Sequence, residues 1–169
     1  GSIVTPLKDR IESQIITHYP KSIEIGRRIT EQEANLKGKP VENIYVPELM
    51  KDLIEQIAIE ARASEYVDEK SGVSARLTIS AYENLMSAAE RRMYMNGESN
   101  TMVRIADLIG VIPAITGKVE LVYEGEQEGA GIVAYSLIGK AIRSQFVNYF
   151  PSPEQKKKSK EGNPYVIPL

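Results

Sequence analysis

The sequence contains no cysteine. Disulfides, thiolate metal sites and cysteine nucleophiles are therefore excluded together, and a reducing cytoplasm is the compartment such a chain fits. It contains one histidine, His18, so neither a histidine-rich metal centre nor a triad needing a second histidine can be built. No run reaches the ~18 consecutive apolar residues of a membrane span. The opening GSIVTPLKDR has no long apolar core, so it does not read as a secretory signal. It also lacks an initiator Met, and Gly1-Ser2 reads either as a cloning remnant or as the edge of a piece cut from something longer. Strong positive charge is missing too. A net charge of −2 and a pI of about 5.6 argue against broad binding to nucleic acid or anionic membrane.

What is present suits a soluble helical domain. Hydrophobic residues make up 42% of the 169, enough for a core, and the length suits one domain or roughly one and a half small ones. IITHYP (15–20), β-branched and bounded by Pro20, reads as a short strand. Residues 22–36 read as a helix with Ser22 as its cap, and 37–45 as a polar loop. The clearest helix spans 46–64. Leu49, Met50, Leu53, Ile54, Ile57, Ala58 and Ala61 recur there at three- to four-residue spacing, and Pro47 suits the first helical position. A charged loop follows at 65–72.

Ser80 and Glu83 have capping-box spacing, which predicts a helix from Thr78 or Ser80 to about Asn96, with Arg76 just ahead of its start. Its inward positions are Ile79, Tyr82, Leu85, Met86, Ala89 and Met93. Another helix is expected from about 103, broken or kinked at Pro113. KVELVY (118–123) is ambiguous between strand and helix, and 125–131 reads as a loop. A long helix covers 132–150, with Ile132, Val133, Leu137, Ile138, Ala141, Ile142 and Phe146 inward. Residues 151–169 have linker composition. No internal repeat is present. The fold expected is mainly α: a helical bundle with one strand-like piece at its N-terminal end.

Few motifs carry chemistry. GVIPAITGKV (110–119) imitates a phosphate-binding loop but fails G-x-x-x-x-G-K-[ST] twice, with Ile112 at the first glycine and Val119 at the hydroxyl position. Acidic pairs such as Glu55/Glu60 and Asp68/Glu69 read as solvated surface charge, His18 as a packed or hydrogen-bonded histidine, the Lys156–Lys160 cluster as linker solvation, and Met86, Met93 and Met95 as core filler. Arg10, beside Asp9, and Arg76 each have two readings. Either is a surface ion-pair partner, or it supplies the fork that arginine offers to phosphate. Composition does not choose between them.

Taken in order, TPLKDRIESQIITHYP (5–20), IEQIAIEARASEYVDEKSGVSARL (54–77), ENLMSAAERRM (83–93) and PAITGKVELVYEGE (113–126) resemble the C-terminal part of AAA+ ATPases related to the magnesium chelatase I subunit and to MoxR proteins. The resemblance spans most of residues 3–150 and implies three parts. Residues 1–20 would be the end of an α/β nucleotide-binding core, 21–150 a helical lid, and 151–169 a linker. It implies that Arg10, in the DR pair, is an arginine finger acting on a neighbouring subunit's nucleotide. It implies that Arg76, in the GVSxR pattern, is the sensor 2 residue reaching the γ-phosphate of its own subunit's ATP. ATP and Mg²⁺ would be held by an intact parent protein, since this chain carries neither Walker A nor Walker B. The partners implied are identical subunits in a ring and a von Willebrand A-type protein, in a chaperone or metal-insertion motor. A free-standing helical adaptor with no nucleotide role is the alternative.

Overall fold

The computed structural model describes Arg10, Ile11, Ser13 and residues 15–36 and 41–150. Asp9, the Lys156–Lys160 cluster and the rest of 151–169 lie outside the described residues. Six α-helices occur among those described: α1 Ile23–Glu33, α2 Glu48–Arg62, α3 Arg76–Met95, α4 Ile112–Thr116, α5 Tyr123–Glu128 and α6 Ala130–Tyr149. Two-residue strands β1 (Ile44–Tyr45) and β2 (Thr101–Met102) pair in parallel, Ile44 opposite Thr101 and Tyr45 opposite Met102. The architecture is mainly α, as the periodicity predicts.

The bundle is organised around α2. Its Leu53, Ile54, Ile57, Ala58 and Ala61 are all buried, because residues spaced by three and four project from one face of a helix. That face meets α1, α3 and α6. Leu77, Leu85 and Met86 of α3 and Leu137 of α6 close the core from the other sides. Ser22 caps α1, its hydroxyl accepting from the Ile25 N–H at 3.3 Å. Pro47 stands one residue before α2, at the cap, instead of at its first position. The 3₁₀ segment Ile105–Val111 lies along α3 and leads into α4. Pro113 falls in the first turn of α4, where its missing N–H costs nothing, so it begins a helix instead of breaking one.

Three boundaries depart from the sequence reading. Helix α3 begins at Arg76, and Ser80 sits in its second turn with no capping role. Leu77 and Thr78 are buried against the bundle, and that packing draws the helix start forward past the local capping signal. Residues 123–128 form α5, running from the end of KVELVY into the stretch 125–131 where a loop is expected, and resting on the Tyr66–Leu121 region. IITHYP forms no strand. A strand needs a neighbour for its backbone groups, and the described residues offer this segment none. The ladder forms instead between β1, within the expected polar loop, and β2. KVELVY is neither a helix nor a strand throughout: Leu121 makes a single antiparallel bridge to Val67, and Tyr123 starts α5. No helix among the described residues is long and apolar enough to cross a membrane.

Candidate functional site

The start of α3 is the chemically distinctive corner of the molecule. Ala75 precedes the helix, and the Ser74 hydroxyl accepts from the Arg76 N–H at 3.2 Å. The exposed Arg76 side chain has no ion-pair partner among the described residues. It lines a cleft of about 380 Å³ with Ser74, Thr116, Gly117, Lys118 and Glu120. Two cations of opposite sequence halves thus share one concavity. A second cleft, about 610 Å³, is lined by Ala75 together with Thr17, His18, Tyr19 and Pro20. His18 is exposed there, which overturns its reading as a packed side chain. Lacking a strand partner, its segment runs over the surface.

The false phosphate loop is instructive because Thr116-Gly117-Lys118 does end up beside Arg76. Its backbone amides are spent, however. Gly117 N–H bonds the Pro113 carbonyl at 3.1 Å, and Lys118 and Val119 bond that of Ile115 at 3.1 and 3.0 Å. A phosphate cradle needs such N–H groups free and convergent, so this turn can supply the Lys118 charge but no cradle. Arg10 is exposed in a turn and does not line the Arg76 cleft. The structure does not bring the two candidate arginines into one site within this chain.

Tyr19 fastens the 15–20 segment to the bundle. The Arg62 guanidinium carbon lies 4.1 Å from its ring centroid, a cation–π contact, and its Oη accepts from the Val73 N–H at 3.1 Å. Gly72 makes this approach feasible. Its φ is +68°, and a Cβ there would stand 2.7 Å from the Tyr19 oxygen. Burial pushes the Arg62 guanidinium down from its ordinary value, against the pull of Tyr19 and Glu55. Its Nε is buried with no hydrogen-bond partner.

Behind this corner lies a carboxyl that the sequence reading placed on the surface. Glu55 is only 6% exposed. The Thr30 and Glu55 oxygens are 2.6 Å apart, those of Thr30 and Thr78 are 2.8 Å apart, and Thr78 lies 3.1 Å from the Ala75 carbonyl. Burial raises Glu55 above the ordinary carboxyl range, and neither the hydroxyls of Thr30 and Thr78 nor the charges of Arg62 and Arg27 reverse it. Glu60, its supposed companion, instead accepts from Ser144 at 2.7 Å and Gln56 at 2.8 Å.

Tyr19, Arg62 and Glu55 escape a sequence reading organised around motifs, because each acts through a partner distant in the chain. Lys118 stands in the rejected phosphate-loop look-alike, and only the fold brings it beside Arg76. Among the described residues, no group of three or more His, Asp or Glu side chains is placed to hold a metal ion. Comparison with protein-family models, curated proteins and solved structures yields no match to this chain.

Proposed function

We propose that this chain supplies the helical lid of an AAA+ ATPase of the magnesium chelatase and MoxR type, with Arg76 as its sensor for the γ-phosphate of ATP. The observation that carries this reading is the Arg76 guanidinium, unpaired among the described residues, on the first turn of a 20-residue helix and lining a cleft with Lys118. A guanidinium without a structural partner is available for a ligand, and a helix N-terminus adds favourable potential for an anion. Arg10, exposed and unpaired among the described residues, is the arginine finger offered to the neighbouring subunit of a ring. The reacting nucleotide and its Mg²⁺ would sit on an α/β core that these residues do not form. The working assembly would be a chaperone or metal-insertion motor, partnered by a von Willebrand A-type protein.

The chemistry follows from charge. Phosphoryl transfer spreads negative charge over the γ-phosphate oxygens, and a positioned arginine stabilises it by about 10³–10⁵ in rate when it acts as a finger. An arginine carried by the lid makes lid position depend on whether the γ-phosphate is present.

A second reading, the adaptor, is favoured by one feature. Ile105, Ile109, Tyr135 and Ile138 line an apolar groove of about 220 Å³ between the 3₁₀ segment and α6.

The test is Arg76→Ala in the intact ATPase. Hydrolysis or its coupling should fall sharply while stability changes by no more than about 0.5 kcal/mol, as for a surface position without partners. Full hydrolysis with full coupling in that variant would refute the sensor role and leave the adaptor.

A further inference from the structure

The buried side-chain oxygens of Glu55, Thr30 and Thr78, and beyond them the carbonyl of exposed Ala75, form a chain of three contacts, at 2.6, 2.8 and 3.1 Å. Each contact needs one hydrogen between its two oxygens. The two threonine hydroxyls supply two hydrogens, and the Ala75 carbonyl supplies none. With Glu55 ionised, one of the three contacts is left without a hydrogen, and only the Ala75 end of the chain is open to water. With Glu55 protonated the count closes. Its O–H donates to Thr30, Thr30 donates to Thr78, and Thr78 donates to the Ala75 carbonyl.

We propose that Glu55 holds a proton in the folded protein and that loss of this proton is a pH-sensitive switch at the junction of α1, α2 and α3. Space enforces the geometry. A Cβ built on Gly26 of α1 would lie 2.3 Å from the second Glu55 oxygen, so the carboxyl is pressed against backbone and has no room for a hydration shell. The burial that raises its proton affinity acts in the same direction. The charges acting on Glu55 are few. Arg27 of α1 is already committed to Asp52 at 2.8 Å and to Glu48. Arg62 of α2 is stacked on Tyr19, which reaches it from the 15–20 segment. Helix α3 offers the Thr78 hydroxyl. Packed against α2 as well, α6 directs Ser144 and Gln145 to Glu60 and Gln56 instead.

Deprotonation removes the hydrogen that begins the relay. The contact left empty is the one between α1 and α2, the one between α1 and α3, or the one at the first turn of α3, next to Arg76. A negative charge at Glu55 also competes with Tyr19 for Arg62. The switch concerns the stability of this chain, and it stands whether or not Arg76 meets a nucleotide.

The experiment is a pH titration of the full 169-residue chain, carrying ¹³C at its glutamate Cδ atoms and followed by NMR. The Glu55 signal should titrate above the ordinary glutamate value near 4.3, and the Thr78 amide should shift with it. Denaturant unfolding of wild type and Glu55→Gln is measured in parallel from about pH 4 to 8, the range around and above that value. Glutamine keeps the donor to Thr30 and cannot ionise. The wild-type ratio of folded to unfolded chain should fall relative to the variant as pH rises from the unfolded value to the folded one. The fall approaches tenfold per pH unit and levels off beyond. A Glu55 signal titrating at or below about 4.3, or parallel pH profiles for the two proteins, overturns the proposal. Should Glu55→Gln fail to fold, the wild-type titration decides alone.

Discussion

Arg92 and Asp107 form a two-pronged ion pair, with Nε 3.0 Å from one carboxylate oxygen and Nη2 2.8 Å from the other. The same guanidinium donates to the Thr101 hydroxyl at 2.9 Å and the Met102 carbonyl at 2.8 Å, while Asp107 accepts from the Arg104 N–H at 2.7 Å. One arginine on α3 therefore holds both β2 and the 3₁₀ segment. Burial alone would raise Asp107, but the Arg92 hydrogen bonds and the Arg104 N–H outweigh it and hold the carboxyl below its ordinary range. Asp107→Asn should cost about 2 kcal/mol at neutral pH, because it breaks two charge-assisted hydrogen bonds of a half-buried guanidinium and leaves Glu98, 3.7 Å away, as its remaining counter-charge. A depressed carboxylate stabilises above its unfolded value, near 3.9, and the contribution fades as pH falls through the lower folded value. The gap between wild type and variant in urea melts should therefore narrow below about pH 4. A gap independent of pH would contradict the role given to the charge.

Tyr19→Phe separates the two halves of the Tyr19 contact. The ring stays under Arg62, and the bond from the Val73 N–H at 3.1 Å is lost. The expected cost is about 1 kcal/mol, with faster hydrogen exchange at Val73. Tyr19→Ala should cost about 1 kcal/mol more through the lost cation–π contact. Equal stability of all three proteins would mean the 15–20 segment is not fastened by this residue.

Two helical glycines should respond in opposite directions to alanine. Alanine gains up to about 1 kcal/mol over glycine in a helix interior. At Gly139 of α6 a Cβ meets nothing within 4 Å, so Gly139→Ala should raise the melting temperature. At Gly26 a Cβ would displace the buried Glu55 carboxyl, and the expected result is a net loss of about 2 kcal/mol. Glu55→Ala in the Gly26→Ala background should recover part of that loss. Strict additivity of the two substitutions would show that the residues do not compete for the same space.

Tyr149 donates to Asp52 across the α2–α6 contact, and burial together with that carboxylate pushes its phenol up to about 12. A raised phenol stabilises below its unfolded value near 10, and the contribution is lost as pH climbs toward the folded one. Tyr149→Phe should thus remove a small alkaline component of the stability profile. A wild-type spectrophotometric titration in which every tyrosine ionises near 10 would contradict the assignment.

Much of the architecture is written in short windows. The apolar spacing of Leu53, Ile54, Ile57, Ala58 and Ala61 specifies α2 without reference to any other segment, and Val133, Leu137, Ile138 and Ala141 do the same for α6. Ile132 and Phe146, which the same pattern places inward, lie at the edge of that face and stay exposed. A period of 3.6 fixes the centre of an apolar stripe more firmly than its width. Ser80 misled in a related way. Its spacing to Glu83 is a real capping signal, but a cap contributes only about 1 kcal/mol, less than burying Leu77 one turn earlier.

The candidate site was legible only in part. Arg76 stands out through its motif and its place near a helix start, whereas Lys118 reaches it only because α4 folds back onto α3. Glu55 looked like any surface carboxylate on an amphipathic helix. Its burial depends on Gly26 and Thr30, and Thr30 is 25 residues away in the chain.

The sequence by itself determined that the chain builds helices around one apolar core. It also ruled out thiol chemistry and histidine-rich metal sites, since composition and periodicity are local properties. Only the tertiary structure decided which polar groups are buried and with whom. Arg92 with Asp107, Tyr19 with Arg62, and Glu55 with Thr30 and Thr78 are contacts between separate elements. Desolvation, which sets their strength and protonation, exists only once those elements have packed.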